Sequence, residues 1–219
     1  MRTPRMAAGP ADRELLQQDA GSGAPYRLLV AGLECFADRG FHATTTRDIA
    51  TRAEMSPAAM YVHYPSKGEL LYRLSRLGHA DALRATLEEA ADDEDDARPR
   101  LWRLVRGFAE WHARHHLLAR VAQYELNSVP RDRLPEILDL RHAVARTLEA
   151  EAERGVRDGE FEIAELHESV RAILSLGIDI ARWYRTSGRR TPEELATIYA
   201  DLVLRMVLPR DPVAATAHS

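Results

Sequence analysis

From Pro25 to Leu208 the apolar positions recur with the period of an α-helix. Leu29, Leu33 and Phe36 share one face, and Gly40 follows as a stop. Three helix starts then come in close succession. Thr45 with Asp48 makes a T-x-x-D start, Ser56 before Pro57 puts a capping hydroxyl ahead of an N1 proline, and Ser66 with Glu69 makes a capping box. This spacing predicts two short helices over 45–54 and 56–64, then a longer one from 66 with Leu70, Leu74 and Leu77 on its stripe. Helical period resumes over 98–115, 117–128, 131–156, 165–187 and 192–208. In the last of these, Leu195, Ile198, Tyr199, Leu202, Val203 and Met206 share a face. No segment shows the alternation of a half-buried strand. The fold class expected is all-α, with an N-terminal three-helix helix-turn-helix unit and a larger C-terminal helical bundle.

The domain boundaries follow from punctuation. Residues 1–24 carry Gly, Pro and Ser around one short helical possibility and are expected to be a flexible arm bearing Arg2 and Arg5. The helix-turn-helix unit is placed at 25–72, the bundle at 73–208 and a tail at 209–219, with the acidic run DDEDD (92–96) as a solvated loop.

Composition changes this picture little. The 219 residues are 45% hydrophobic and 29% charged with a net charge of −4, so any affinity for nucleic acid must be local. Residues 26–76 hold seven basic and five acidic side chains, a small excess. No run reaches the length of a membrane span, the N-terminus lacks the apolar core of a secretory signal, and the single cysteine, Cys35, reads as a buried thiol. The expected location is cytoplasmic. Nucleophile elbows, phosphate-binding loops and H-E-x-x-H motifs are absent, so no enzyme, no catalytic residue and no cofactor is expected. His112, His115 and His116 have a spacing that invites a metal, but no partner ligand can be placed, and they read as pocket or surface groups.

The second short helix, SPAAMYVHY, has the makings of a recognition helix. Ser56, Pro57, Ala58 and Ala59 keep its N-terminus slim, and Met60 turns inward. Tyr61, His63 and Tyr64 offer donors to backbone oxygens, and Ala58 or Val62 can meet thymine methyls. The stretch GLECFADRGFHATTTRDIATRAEMSPAAMYVHYPSKGELL resembles the DNA-binding domain of the TetR (tetracycline-repressor-like) family, in register from about 26 to 72. The resemblance implies contacts from Thr45, Thr46 and Arg47 at the start of one helix, and phosphate contacts from Tyr61, His63 and Lys67. Pro57-Ala58-Ala59 departs from the glycine or hydroxyl residues common there, which leaves base reading to Arg47, apolar contacts and DNA shape. Lys67 is the only lysine among 30 basic residues. By the same resemblance it grips one phosphate as a point charge.

In the bundle, one stripe (Ile173, Leu174, Gly177, Ile180, Ala181) and the stripe of 192–208 suggest a four-helix seam with a second copy of the chain, hence a homodimer. The family resemblance implies the same. RWYR (182–185) with T-P-E-E-L, preceded by GVRDGEF (155–161), resembles a TetR subset that controls fatty-acid or steroid catabolism and answers to acyl-CoA thioesters. A lining of Leu104, Phe108, Trp111, Val121, Tyr124, Ile173, Ile180 and Trp183, with His112, Glu125, Arg141 and Asp179 as polar groups, suits a hydrophobic small-molecule effector. The expected function is a repressor that binds a palindromic DNA operator as a dimer and is released by such an effector, with no membrane partner. Two alternatives stand beside it: a drug-responsive efflux-type repressor, and a helical binding scaffold without DNA activity.

Overall fold

The computed structural model describes residues 6–89 and 96–209, and among them it has ten α-helices, one 3-10 turn and no strand. The helices are α1 (Pro10–Ala20), α2 (Ala24–Ala43), α3 (Thr46–Arg52), α4 (Pro57–His63), α5 (Lys67–Glu88), α6 (Ala97–Arg114), α7 (His116–Tyr124), α8 (Leu134–Arg157), α9 (Leu166–Trp183) and α10 (Pro192–Val207). Each helix expected from period and caps is present.

The short helices are held by their caps. The Thr45 side chain accepts from the Asp48 amide (3.1 Å) while Asp48 accepts from the Thr45 amide (2.9 Å), which satisfies two orphan donors of α3. The Ser56 side chain does the same for Ala59 on α4. Ser66 caps α5 through Glu69 N–H (3.1 Å), but the reciprocal half of the expected box is missing, because the Glu69 carboxylate faces Arg133 at 3.5 Å.

Gly40 marks the stop in α2. Its φ of 78° breaks the helix there, and residues 41–43 form a separate last turn. Between α3 and α4 the chain reverses through Glu54, whose φ of 57° is the one left-handed non-glycine conformation among the described residues.

The arm expected over residues 1–24 is corrected over 10–20, where α1 is a docked helix. Leu16 and Asp12 are fully buried, Arg13 pairs with Glu34 at 2.8 Å, and Asp19 takes both a 2.9 Å and a 2.7 Å hydrogen bond from Arg73. With only Leu15 and Leu16 as strong apolar groups, α1 gains its order from these polar ties rather than from a periodic face. Arg2 and Arg5, the tail from 210 and residues 90–95 of the acidic stretch lie outside the described residues.

Helix α5 runs through the boundary expected at 72/73, and one apolar core crosses it as well. Leu28, Leu33, Phe36, Ile49, Met60, Leu70 and Leu74 pack in a cluster continuous with Trp111, Leu117, Leu118, Val121 and Ala181. A second cluster joins α6, α8, α9 and α10. The small residues of α9 serve this interior rather than a partner copy. A Cβ on Gly177 would sit 2.6 Å from the Phe108 ring, and Ile173, Ile180 and Ala181 are buried within the chain. The α9 stripe expected to form one side of the seam is therefore inward. Leu202 and Met206 of the expected α10 stripe are exposed, as are Leu176 and Trp183 beside the α9 stripe.

Because Glu54 bears a Cβ in a left-handed conformation, Glu54→Gly removes steric strain at the cost of a freer unfolded chain. We expect a net gain of about 0.5–1 kcal/mol. Thermal or urea unfolding that shows the variant no more stable than the parent contradicts this reading of the turn.

Candidate nucleic-acid interface and effector domain

Helices α3 and α4 present one polar face outward. On α4, Met60 is fully buried while Tyr61 (52%) and Val62 (79%) are exposed, as is His63. Helix α4 is two turns long, so one anchored side fixes which side is free. Thr46 of α3 lies beside it, its hydroxyl 3.4 Å from that of Tyr61. Arg47 is exposed and is drawn into no ion pair or hydrogen bond within the described residues. Ser56, Pro57 and Ala58 are exposed at the N-terminal end of α4, and Ala59 is half-buried. The structure thus brings Thr46, Arg47, Tyr61, Val62 and His63 to one surface. Thr45 is exposed, but its hydroxyl is engaged by Asp48 at 2.7 Å.

Two expected contacts stand differently. Tyr64 is buried, its hydroxyl donates to Pro25 O (3.3 Å), and burial raises its pKa to about 12. It anchors α4 to α2, and its expected role as a free donor to DNA is corrected. Lys67 is half-buried. Its ammonium donates to Phe41 O and Thr44 O, each at 2.8 Å, and lies 4.2 Å from the centre of the Phe41 ring. Two of its three donors are therefore used inside the protein.

The residue missed in the sequence is Thr44. It is fully buried, and its one hydroxyl proton lies between Gly40 O (2.8 Å) and Cys35 O (3.1 Å), closing the end of α2 from inside as Lys67 closes it from α5. A Thr-Thr-Thr run offers no signal that its first member is interior while its second caps a helix. Cys35 is buried beside it, and that burial pushes its thiol pKa up, as an inert core thiol requires.

The expected effector lining divides into three sets. Leu104, Phe108 and Ile173 belong to the α6–α8–α9–α10 cluster, Trp111 and Val121 to the core shared with α2 and α5, and Ile180 to a small third cluster. His112 is fully buried, and Arg141 and Glu125 are partly buried. Tyr124, Trp183 and Asp179 lie outside these three sets. Tyr124 (50%) and Trp183 (44%) end their helices facing outward, and the Asp179 carboxylate takes a 2.6 Å hydrogen bond from Arg182 at the surface.

A cleft of about 400 Å³ does open between the end of α2 and α7. Phe36, Gly40, Val121 and Tyr124 wall it, and Arg39, Arg120 and Arg182 bring cations to it against Asp38 and Glu125. The Glu125 carboxylate reaches to within 3.2 Å of where a Gly40 side chain would begin, so this wall touches the break in α2.

Behind α7 lies a polar cluster. His79 Nδ1 donates to Ser75 O (2.7 Å), leaving Nε2 to accept from Arg141 Nη1 (3.2 Å). Arg141 also donates to Gln123, and the Gln123 amide faces His112 Nε2 at 3.5 Å. His112 Nδ1 donates to Phe108 O (2.8 Å). Desolvation lowers the pKa of both His79 and His112 to about 4. His115 instead meets Asp12 of α1 at 3.1 Å and stacks on Trp111, whose indole N–H donates to Asp81 (2.8 Å). No group of three or more potential metal ligands occurs among the described residues.

A small capped helix-turn-helix unit on a helical bundle defines a class, the two-part DNA-binding regulators. Residues 28–74 match the tetR family of bacterial regulatory proteins, and residues 94–207 match the tetracyclin repressor-like C-terminal domain. The chain belongs to this family. It is 29% identical over 201 residues to the HTH-type transcriptional repressor KstR2 of Rhodococcus jostii (strain RHA1), covering 91% of this chain and 96% of that one. The crystal structure of a tetR-family regulatory protein from Rhodococcus RHA1 superposes with a TM-score of 0.80 at 37% identity, over 87% of this chain and 100% of that one. The ketosteroid transcriptional regulator KstR2 of Mycobacterium tuberculosis superposes with a TM-score of 0.75 at 27% identity, over 84% of this chain and 94% of that one.

The buried histidines set a pH dependence. Their folded pKa of about 4 lies below the ordinary value of 6.5, so their contribution is complete above pH 6.5 and is lost as pH falls toward 4. In that window each adds about 1.4 kcal/mol per pH unit to the decline. Denaturant midpoints between pH 7 and 4 should show His112→Gln with a shallower decline than the parent. An unchanged slope contradicts the buried-neutral assignment.

Proposed function

We propose that the protein is a cytoplasmic, homodimeric transcriptional repressor that leaves its operator when an acyl-CoA thioester binds the bundle. The observation that carries the DNA reading is the free surface of Thr46, Arg47, Tyr61, Val62 and His63 on a helix pair whose other side is core. Arg47 is the base reader, able to take guanine O6 and N7 together, while Tyr61, His63 and the spare donor of Lys67 meet phosphates. Family membership and the repressor names of its relatives support the same reading.

Dimerisation is assigned to the exposed apolar face of α9 and α10, through Leu176, Trp183, Leu202 and Met206. Two α4 helices on one dimer then meet major grooves about 34–36 Å apart or somewhat more, which calls for a near-palindromic operator. The RWYR resemblance and the arginine-lined cleft support a thioester, whose phosphates need cations outside an apolar chain. Filling that cleft pushes on Glu125 and the α2 break at Gly40, and a differential affinity of about 1–3 kcal/mol changes DNA binding 5–150-fold. The rival effector is a neutral or cationic lipophilic compound.

A gel shift against the DNA upstream of the protein's own gene, with acyl-CoAs, free acids and cationic drugs as competitors, tests this. Retardation of palindromic DNA, reversed by thioesters, is expected. A monomer that shifts no palindrome contradicts the repressor reading, and release by drugs alone contradicts the thioester. Arg47→Ala should cost about 1–3 kcal/mol and relax preference at one base pair. Loss of affinity with sequence preference intact overturns its role.

A further inference from the structure

Arg141 is a partly buried cation of the bundle with no ion-pair partner among the described residues. Its Nη1 serves His79 and Gln123, both neutral acceptors, and no carboxylate among the described residues forms an ion pair with it. Most other arginines of this region have a carboxylate partner: Arg84 with Asp81 and Glu88, Arg106 with Glu89 and Glu110, Arg114 with Glu110 and Glu193, and Arg154 with Glu151. A guanidinium does not shed its proton in proteins, so burial leaves its charge uncompensated rather than removed. Desolvation alone drives its pKa downward, in keeping with the lack of a counter-ion.

The surroundings fix its orientation. The Nδ1 hydrogen of His79 is committed to Ser75 O, so Nε2 can only accept, and Gln123 presents its carbonyl oxygen to the same Nη1. Both contacts use one nitrogen. The Nε and Nη2 donors, the pair that binds a carboxylate side-on, have no partner among the described residues. The charge is held in place by α5 and α7, and its other edge makes no hydrogen bond within the described residues.

We propose that Arg141 anchors a carboxylate at the inner end of the effector, with His79 and Gln123 as positioning residues, so that the preferred ligand is an ω-carboxyacyl thioester rather than a plain fatty-acyl one. This rests on the reading of the bundle as an effector domain. The thioester head and its phosphates belong to that reading, and the inner carboxylate is the new element. Helix α7 links the two places, since Val121 and Tyr124 wall the arginine-lined cleft while Gln123 holds Arg141.

The test is calorimetric titration of the full-length protein with hexanoyl-, decanoyl- and palmitoyl-CoA, their ω-carboxy counterparts, and the corresponding free mono- and dicarboxylic acids. We expect the ω-carboxy thioester to bind on the order of tenfold or more tightly than its plain counterpart at the chain length that fits. Arg141→Met should erase that preference, so that the ω-carboxy thioester binds no more tightly than its plain counterpart in the same variant. Arg141→Lys, which keeps the charge but not the fork, should retain a reduced preference, and it serves alone if the Met variant does not fold. Equal affinity for the two kinds of thioester at every length overturns the proposal, as does a preference that survives in Arg141→Met or is undiminished in Arg141→Lys. Binding of free acids that depends on Arg141, with no thioester bound, removes the thioester reading and leaves the carboxylate anchor standing. No binding by any of these ligands removes both.

Discussion

The geometry of the DNA-binding unit depends on one ammonium group. Helix α2 breaks at Gly40, and at its end Phe41 O takes the Thr44 amide at 3.2 Å while the chain turns out of the helix at Thr44. Lys67 donates to both Phe41 O and Thr44 O from the first turn of α5. Hydrogen bonds to a charged donor are worth about 1.5–3 kcal/mol each, and the Phe41 ring beneath the ammonium adds a cation–π contact. A planar guanidinium cannot reproduce two converging short bonds above a ring in so small a space, which accounts for the single lysine of a chain otherwise confined to arginine.

That tie lies where the two halves of the molecule meet. Thr44 precedes the cap of α3, Gly40 faces Glu125 at the edge of the arginine-lined cleft, and the core beneath is continuous from α2 to α7. On the proposed effector reading, a ligand against α7 would act on a break already present in α2 rather than having to create one. Tyr64, held to Pro25 O, makes α4 follow α2 as one body. Helix α1 adds a strap from outside the matched DNA-binding segment, through Asp12 to His115 at the α6–α7 junction.

Most of the fold is legible in the sequence because caps and periodicity are local. Thr45–Asp48, Ser56-Pro57, Ser66 and Thr191–Glu194 each mark a helix start that the backbone obeys. What is not legible is which of two apolar stripes faces inward. On α9 the choice is made by the fit of Gly177 against Phe108, a contact between residues distant in sequence. The order of α1 has the same origin, since ion pairs to Glu34 and Arg73 carry no periodic trace. In the DNA-binding unit the outward residues Arg47, Tyr61 and His63 are readable from helical phase. The inward duty of Lys67 and Tyr64 is set by the end of α2 and is not.

That Lys67 holds the DNA-binding unit in shape is tested by amide hydrogen exchange of Lys67→Met against the parent, both without DNA. Faster exchange is expected in the variant over the last turn of α2 and the whole of α3, with the bundle helices α8 to α10 unchanged. Unchanged exchange over α2 and α3, alongside a lowered salt dependence of DNA binding, would make Lys67 a phosphate contact alone and contradict the claim.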